Sequence, residues 1–138
     1  MTRILTKNHP DVLECYRRMT FNVLAHNRDD HVKNFAFRLT AAGSWTLAPA
    51  YDLVFAPGPA GEHTMTVAEE GRTPARSHLL KLADLAGISG REAQEILDEV
   101  AAAVARWRVH ASDVGVGARS AKAIEKSVKE CLARVRLS

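Results

Sequence analysis

The ten residues from Ala25 to Asn34, AHNRDDHVKN, separate two kinds of hydrophobic period. Before them, Val12, Tyr16, Met19 and Val23 recur at helical spacing, with Leu13 and Leu24 widening the stripe. Pro10 suits the first turn of that helix. The run HNRDDH cannot extend an apolar face, so the helix has to stop at His26 and Asn27. After it, Phe35 and Phe37 alternate with Ala36 and Arg38, Gly43 marks a turn, and Trp45 and Leu47 resume beyond it. That spacing predicts a short β-hairpin closed by Pro49. A chain of this kind is mainly α with one small hairpin inserted early, and its most polar stretch sits where the two patterns meet.

Helical periodicity returns from about Ser77 with Leu79, Leu80, Leu82 and Leu85, and stops near Gly87. Ser89 followed by Glu92 has the form of a capping box. It opens a long helix with the stripe Ala93, Ile96, Leu97, Val100, Val104 and Trp107. A break from Asp113 to Gly117 precedes a last helix on Ala121, Ile124, Val128, Leu132 and Val135. Between Tyr51 and Ser77 lie three of the five prolines and three of the eight glycines. This reads as a long, partly ordered loop, with His63 to Val67 as an edge strand.

At 138 residues the chain is the size of one domain, 46% hydrophobic and 25% charged, in the range of soluble globular proteins. No apolar run approaches bilayer length and no signal peptide opens the chain, so no membrane association is expected. Cys15 and Cys131 form no CxxC pair and read as core cysteines. Together these features point to a reducing, bacterial cytoplasm. The net charge is +3, but the segment from Arg106 onward holds eight Lys/Arg against three Asp/Glu. A basic helix of this kind is a solvated face or a surface for an acidic partner or nucleic acid.

The polar stretch has a chemical reading. Phosphoryl transfer from ATP needs an acceptor-positioning base, usually Asp, and hard oxygen ligands that hold Mg²⁺ on the phosphates. Asp29 stands five residues before Asn34, and Asp52 follows the hairpin, which would fold its carboxylate back beside Asn34. Taken singly, Asp29 and Asp30 are also ordinary turn residues, as Asn34 and Asp52 are turn or cap residues.

With their flanks, FNVLAHNRDDHVKNFAF and WTLAPAYDL, these residues resemble the HipA family of bacterial serine/threonine kinases, toxin partners of HipB-type antitoxins. The family's segment runs Asp-x-His-x-Lys-Asn-aromatic, then a hairpin, then Pro-x-Tyr-Asp. Here Asp29, His31, Lys33, Asn34 and Phe35 supply the first part, and Pro49, Tyr51 and Asp52 the second. The resemblance implies that Asp29 is the catalytic base, that Lys33 lies near the transferring phosphate, and that Asn34 and Asp52 bind Mg²⁺. It also implies that His31, Asn34 and Asp52 form the ATP-cofactor set, His31 by bracing the loop. Residues 21 to 55 are the specific part. A fainter likeness from His63 to Leu85 extends it over most of the chain, read as one protein-kinase-like C-terminal lobe over residues 1–138. The implied partners are a HipB-like antitoxin, DNA only indirectly through that antitoxin, and a protein substrate such as an aminoacyl-tRNA synthetase.

The sequence departs from a complete kinase of this type. The 28 residues before Asp29 cannot supply a lobe with a phosphate-covering loop and a phosphate-binding lysine. Gly115-Val116-Gly117 follows a helix, lacks a Gly-Lys-Ser/Thr continuation, and reads as a loop with Ser120 near the next helix start. The chain is therefore expected to be a fragment or a short relative, with little turnover alone. Two other readings are open at this point. One is a metallohydrolase using His26, Asp29, Asp30 and His31 for Zn²⁺ or Mn²⁺. The other is a non-catalytic scaffold that binds an antitoxin or operator complex through Lys122, Lys126, Lys129, Arg134 and Arg136. His9, His63, His78 and His110 are scattered and read as surface or core residues.

Overall fold

The computed structural model describes residues 1–137. Six helices and one hairpin follow one another: α1 Thr2–Thr6, α2 His9–Leu24, β1 Phe37–Leu39, β2 Trp45–Leu47, α3 Arg76–Leu85, α4 Gly90–Ala105, α5 Trp107–Asp113 and α6 Ala118–Leu137. Short 3-10 turns occupy Val32–Asn34 and Pro59–Gly61. The chain is thus mainly helical with a two-stranded antiparallel sheet.

The apolar stripes of α2, α3, α4 and α6 meet in one core. Val12, Tyr16, Val23 and Leu24 of α2 pack with Leu79 and Ala83 of α3, Ile96, Leu97 and Val100 of α4, and Val128, Leu132 and Val135 of α6. Tyr16 carries its hydroxyl into this core and donates it to the Leu79 carbonyl at 3.3 Å. Burial pushes its pKa up to about 12. The start of α4 is capped as its sequence demands. Ser89 Oγ accepts from the Glu92 amide at 3.3 Å, and Glu92 Oε2 accepts from the Ser89 amide at 3.0 Å.

The hairpin pairs Phe37 with Leu47, Arg38 with Thr46 and Leu39 with Trp45, and Gly43 turns it at φ +75°. It is too short to stand alone, and α2 holds it. Asp11 Oδ2 accepts from the Leu47 amide and from the Thr46 hydroxyl, both at 3.2 Å. Arg18, buried on α2, donates to the Ala48 carbonyl at 2.9 Å and to Glu14 at 2.8 Å. The strand returning from the hairpin is therefore anchored to the helix that leads into the polar loop.

Two expectations need correction. The long helix after Ser89 ends at Ala105, and Trp107 begins α5 instead of continuing the α4 stripe. Its indole nitrogen donates to the Ala121 carbonyl of α6 at 3.0 Å, a bond a purely apolar stripe position has no use for. His63 to Val67 is not a strand. The amides of Thr64 and Met65 are taken by a side chain described below, the His63 amide donates to Gly71 O at 2.7 Å, and Val67 pairs with Glu70 in an isolated bridge. Cys15 and Cys131 are free thiols, and burial pushes both pKa values up. No helix among the described residues is long and apolar enough to cross a membrane.

Leu97 of α4 is 1% exposed, in the core shared with α2, α3 and α6. Leu97→Ala is expected to cost about 3 kcal/mol by cavity formation, read as a lower urea midpoint at unchanged slope. A loss below about 1 kcal/mol would show that this layer is not close-packed.

Candidate active site

The polar loop begins where α2 is made to end. The Ala25 amide bonds back to Phe21 O at 2.8 Å, His26 turns the chain at φ +58°, and the Asn27 amide reaches Asn22 O at 2.8 Å. From there the loop closes on itself. Asn34 Nδ2 donates to the Asp29 carbonyl at 3.1 Å, and His31 Nε2 lies 2.8 Å from Asp29 Oδ1. The Val32–Asn34 turn adds the Asn34 amide to His31 O at 2.9 Å. Asp29 remains half exposed, with its side chain 51% accessible, and its second oxygen has no partner among the described residues.

Asp30, its neighbour in sequence, is buried at 5% exposure. Its Oδ2 accepts from His63 Nδ1 at 3.0 Å, and its Oδ1 accepts from the Thr64 amide at 2.9 Å and the Met65 amide at 3.2 Å. A buried carboxylate is tolerated only when its oxygens are satisfied, and here the long loop supplies the donors. Thr64 closes the contact from its own side, donating both its amide and its hydroxyl to Arg28 O. Gly58 lets the loop pass close. At its φ of +74°, a Cβ would collide with the Glu62 carbonyl and lie 2.6 Å from Arg28 Cβ. The segment expected to be partly ordered is thus tied to the back of the polar loop.

Asp52 is brought alongside by ties on both flanks. Tyr51 donates its hydroxyl to the Lys33 carbonyl. Asn27 Nδ2 donates to Asp52 O at 3.2 Å and to Asn22 Oδ1 at 3.0 Å. The Ala56 amide donates to His26 O at 3.1 Å and the Arg28 amide to Ala56 O at 3.0 Å, a parallel bridge. Asp52 itself sits at φ +57°, a left-handed conformation that Asp tolerates better than most non-glycine residues and that here is held by the ties on both flanks. Its carboxylate makes no hydrogen bond or ion pair among the described residues, with Asn34 or any other group.

The five residues singled out in the sequence thus fall into one region of the surface, although not into one bonded cluster. Asp29, His31 and Asn34 are hydrogen-bonded together, Lys33 is joined through its carbonyl to Tyr51, and Asp52 is tied through its carbonyl to Asn27. The donor chemistry suits Mg²⁺, a hard ion that takes carboxylate and amide oxygens. Because Asn34 spends its nitrogen on the Asp29 carbonyl, its amide oxygen is left free, the orientation a cation ligand needs. The Lys33 side chain is exposed and makes no ion pair among the described residues.

The Zn²⁺ or Mn²⁺ reading built on two imidazoles and two carboxylates does not survive. His26 stacks on Phe55 at 5.5 Å with its Nδ1 3.4 Å from Cys131 Sγ, and Asp30 is committed to His63. No group of three or more His, Cys, Asp or Glu side chains among the described residues is placed to hold a metal. Sequence reasoning missed His63 and Asn22 as parts of this region, and it gave Asp30 and Asn27 no part in bracing the loop from within. The recurrence of Asn22 and Asn27 across the helix end was the available signal.

The surroundings of His26 make its state readable. Burial, with help from Arg28, His63 and Arg134, pushes its pKa down to about 4 from 6.5. The unfolded chain then takes up a proton between pH 6.5 and 4 that the folded chain refuses, so this group removes stability as pH falls through that window. His26→Asn, which suits the left-handed backbone, is expected to flatten the stability–pH curve between these limits relative to the wild type. An unchanged slope in urea titrations at several pH values would contradict this placement of His26.

A family model, the HipA-like C-terminal domain, matches residues 1–107, which run from α1 through the polar loop, the hairpin, Asp52 and the whole of α4. No curated protein matches the chain. With a match over this much of its length, the chain belongs to the family of HipA-like C-terminal domains.

Proposed function

We propose that this chain is the catalytic lobe of an ATP-dependent serine/threonine protein kinase of the HipA type, part of a toxin–antitoxin pair. The observation that carries the reading is the stitching of the Asp52 segment onto the loop bearing Asp29 and Asn34, with the Asp29 and Asp52 side chains exposed and the half-buried Asn34 keeping its amide oxygen unbonded among the described residues. A structural turn has no need of that combination.

The residues divide the work as follows. Asp29 Oδ1 is held by His31, which leaves Oδ2 to accept the proton of a serine hydroxyl as its oxygen attacks the γ-phosphorus. The bond from the γ-phosphorus to the β–γ bridging oxygen breaks, and ADP departs with that oxygen. Lys33 Nζ places positive charge beside the transferring phosphoryl group. Asn34 Oδ1 and the Asp52 carboxylate are the oxygens that would hold Mg²⁺. When bound, Mg²⁺ neutralises the phosphate charge and orients the chain of phosphates. The protein substrate is a translation factor such as an aminoacyl-tRNA synthetase, and a HipB-like antitoxin is the regulatory partner.

A second reading, a scaffold for an antitoxin or operator complex, draws on α6. Arg119, Lys122, Lys126 and Lys129 follow one another at helical spacing there, all of them exposed. DNA contact would then run through the antitoxin. Such a scaffold gives no reason for the open Asp29, Asn34 and Asp52 groups, which favours the catalytic reading.

Calorimetric titration of Mg²⁺–ATP into the chain tests the assignment. Micromolar binding is expected in the wild type, lost in Asp52→Ala and kept within a few-fold in Asp29→Ala, since Asp29 acts on the acceptor. Binding undiminished by Asp52→Ala removes that residue from the cofactor site. A folded wild type that takes up no Mg²⁺–ATP contradicts catalytic competence and favours the scaffold.

A further inference from the structure

We infer that Asn27 is the positioning residue for the Asp52 carboxylate, acting through the Asp52 main-chain carbonyl and aimed by Asn22. The inference rests on the reading of Asp52 as a cation ligand and assigns the residue that makes it one.

Asn27 is 1% exposed and Asn22 3%. Asn27 Nδ2 has two protons, and two oxygen acceptors receive them, Asn22 Oδ1 at 3.0 Å and Asp52 O at 3.2 Å. Because the Asp52 main-chain carbonyl can only accept, the Asn27 amide has its nitrogen toward it, and Asn22 turns its own amide oxygen to the second proton. The chemistry selects the residue type. A carboxylate at this position offers no donor, and a serine hydroxyl offers one. A glutamine has both protons on a side chain one methylene longer, which would have to be fitted at a position only 1% exposed. Only a short primary amide meets both oxygens at once.

The backbone around Asn27 is equally fixed. Its amide bonds to Asn22 O at 2.8 Å, and it forms the parallel bridge with Ala56. The side chain therefore projects from a rigid point, the end of α2, to the residue where the returning chain has its left-handed turn. Asp52 gains from such support, because its carboxylate has no partner of its own among the described residues and φ +57° is a conformation an Asp adopts only in the minority of cases. The bond from Asn27 fixes the Asp52–Leu53 peptide and with it the direction of the Asp52 Cα–Cβ bond. Ligand-orienting groups of this sort typically change metal affinity 10–100-fold when removed.

Mn²⁺, an oxygen-seeking ion visible by electron paramagnetic resonance, is a direct probe that needs neither ATP nor turnover. Asn27→Ala is expected to weaken Mn²⁺ binding about 10–100-fold while the helical circular dichroism stays at the wild-type level. Asn22→Leu, which removes the acceptor that aims the Asn27 amide, is expected to weaken it about 3–10-fold and keeps the test alive if Asn27→Ala does not fold. The core variant Leu97→Ala, expected to match the wild type, separates positioning from general destabilisation. Wild-type affinity in Asn27→Ala and Asn22→Leu overturns this inference alone. A folded wild type that binds no Mn²⁺ overturns the cation reading of Asp52 and this inference with it.

Discussion

The Asp30 carboxylate, buried behind the polar loop, is the interaction on which the site region depends. It takes one imidazole donor and two backbone amides from a segment more than thirty residues away, and a buried charge left without such donors would be expelled to solvent. Once Asp30 is turned inward, Asp29 on the adjacent residue is left outward, His31 can reach back to it, and Asn34 closes the loop across its carbonyl. The same bond fixes the long loop that would otherwise be a floppy insertion. The polar loop is therefore clamped between the helix end that precedes it and a loop that follows it, and its outer face is free for chemistry.

The helical layer supplies the frame. α2 carries Asp11 and Arg18 to the hairpin, so the chain that leaves the polar loop returns along the same helix. Asp52 then arrives beside the point where α2 ends. The region of α6, beyond the residues matched by the family model, adds a further brace: Cys131 Sγ lies 3.4 Å from His26 Nδ1, and Arg134 donates to the same sulfur at 3.1 Å. Core packing and loop geometry are in this way coupled at His26, where helix becomes loop.

Much of this was legible in the sequence because the signals were local. The hairpin followed from alternation around Gly43, the start of α4 from Ser89 and Glu92, and the resemblance to the HipA family from the motif that runs from Asp29 through His31, Lys33, Asn34 and Phe35 to Pro49, Tyr51 and Asp52. What was not legible depended on distant partners. Asp29 and Asp30 are the same residue type side by side, and only His63 and the amides of Thr64 and Met65 decide which one is buried. His63 looked like a stray imidazole for the same reason. Trp107 continued the α4 stripe in spacing, yet its indole N–H has a carbonyl on α6 to satisfy, and the helix breaks to allow it. The segment from His63 to Val67 had strand composition, but its amides were claimed before a neighbouring strand could form.

The central claim is that the Asp29–Asn34 loop and the Asp52 segment together form one cation site. The most direct measurement is nuclear magnetic resonance of the isotopically labelled chain during addition of substoichiometric Mn²⁺, whose unpaired electrons broaden nearby amide signals. The expected result is that Asn34 and Asp52 broaden together and before the rest of the chain. Broadening that reaches only one of the two, or that centres on another acidic surface such as Glu92 or Glu125, would contradict the claim.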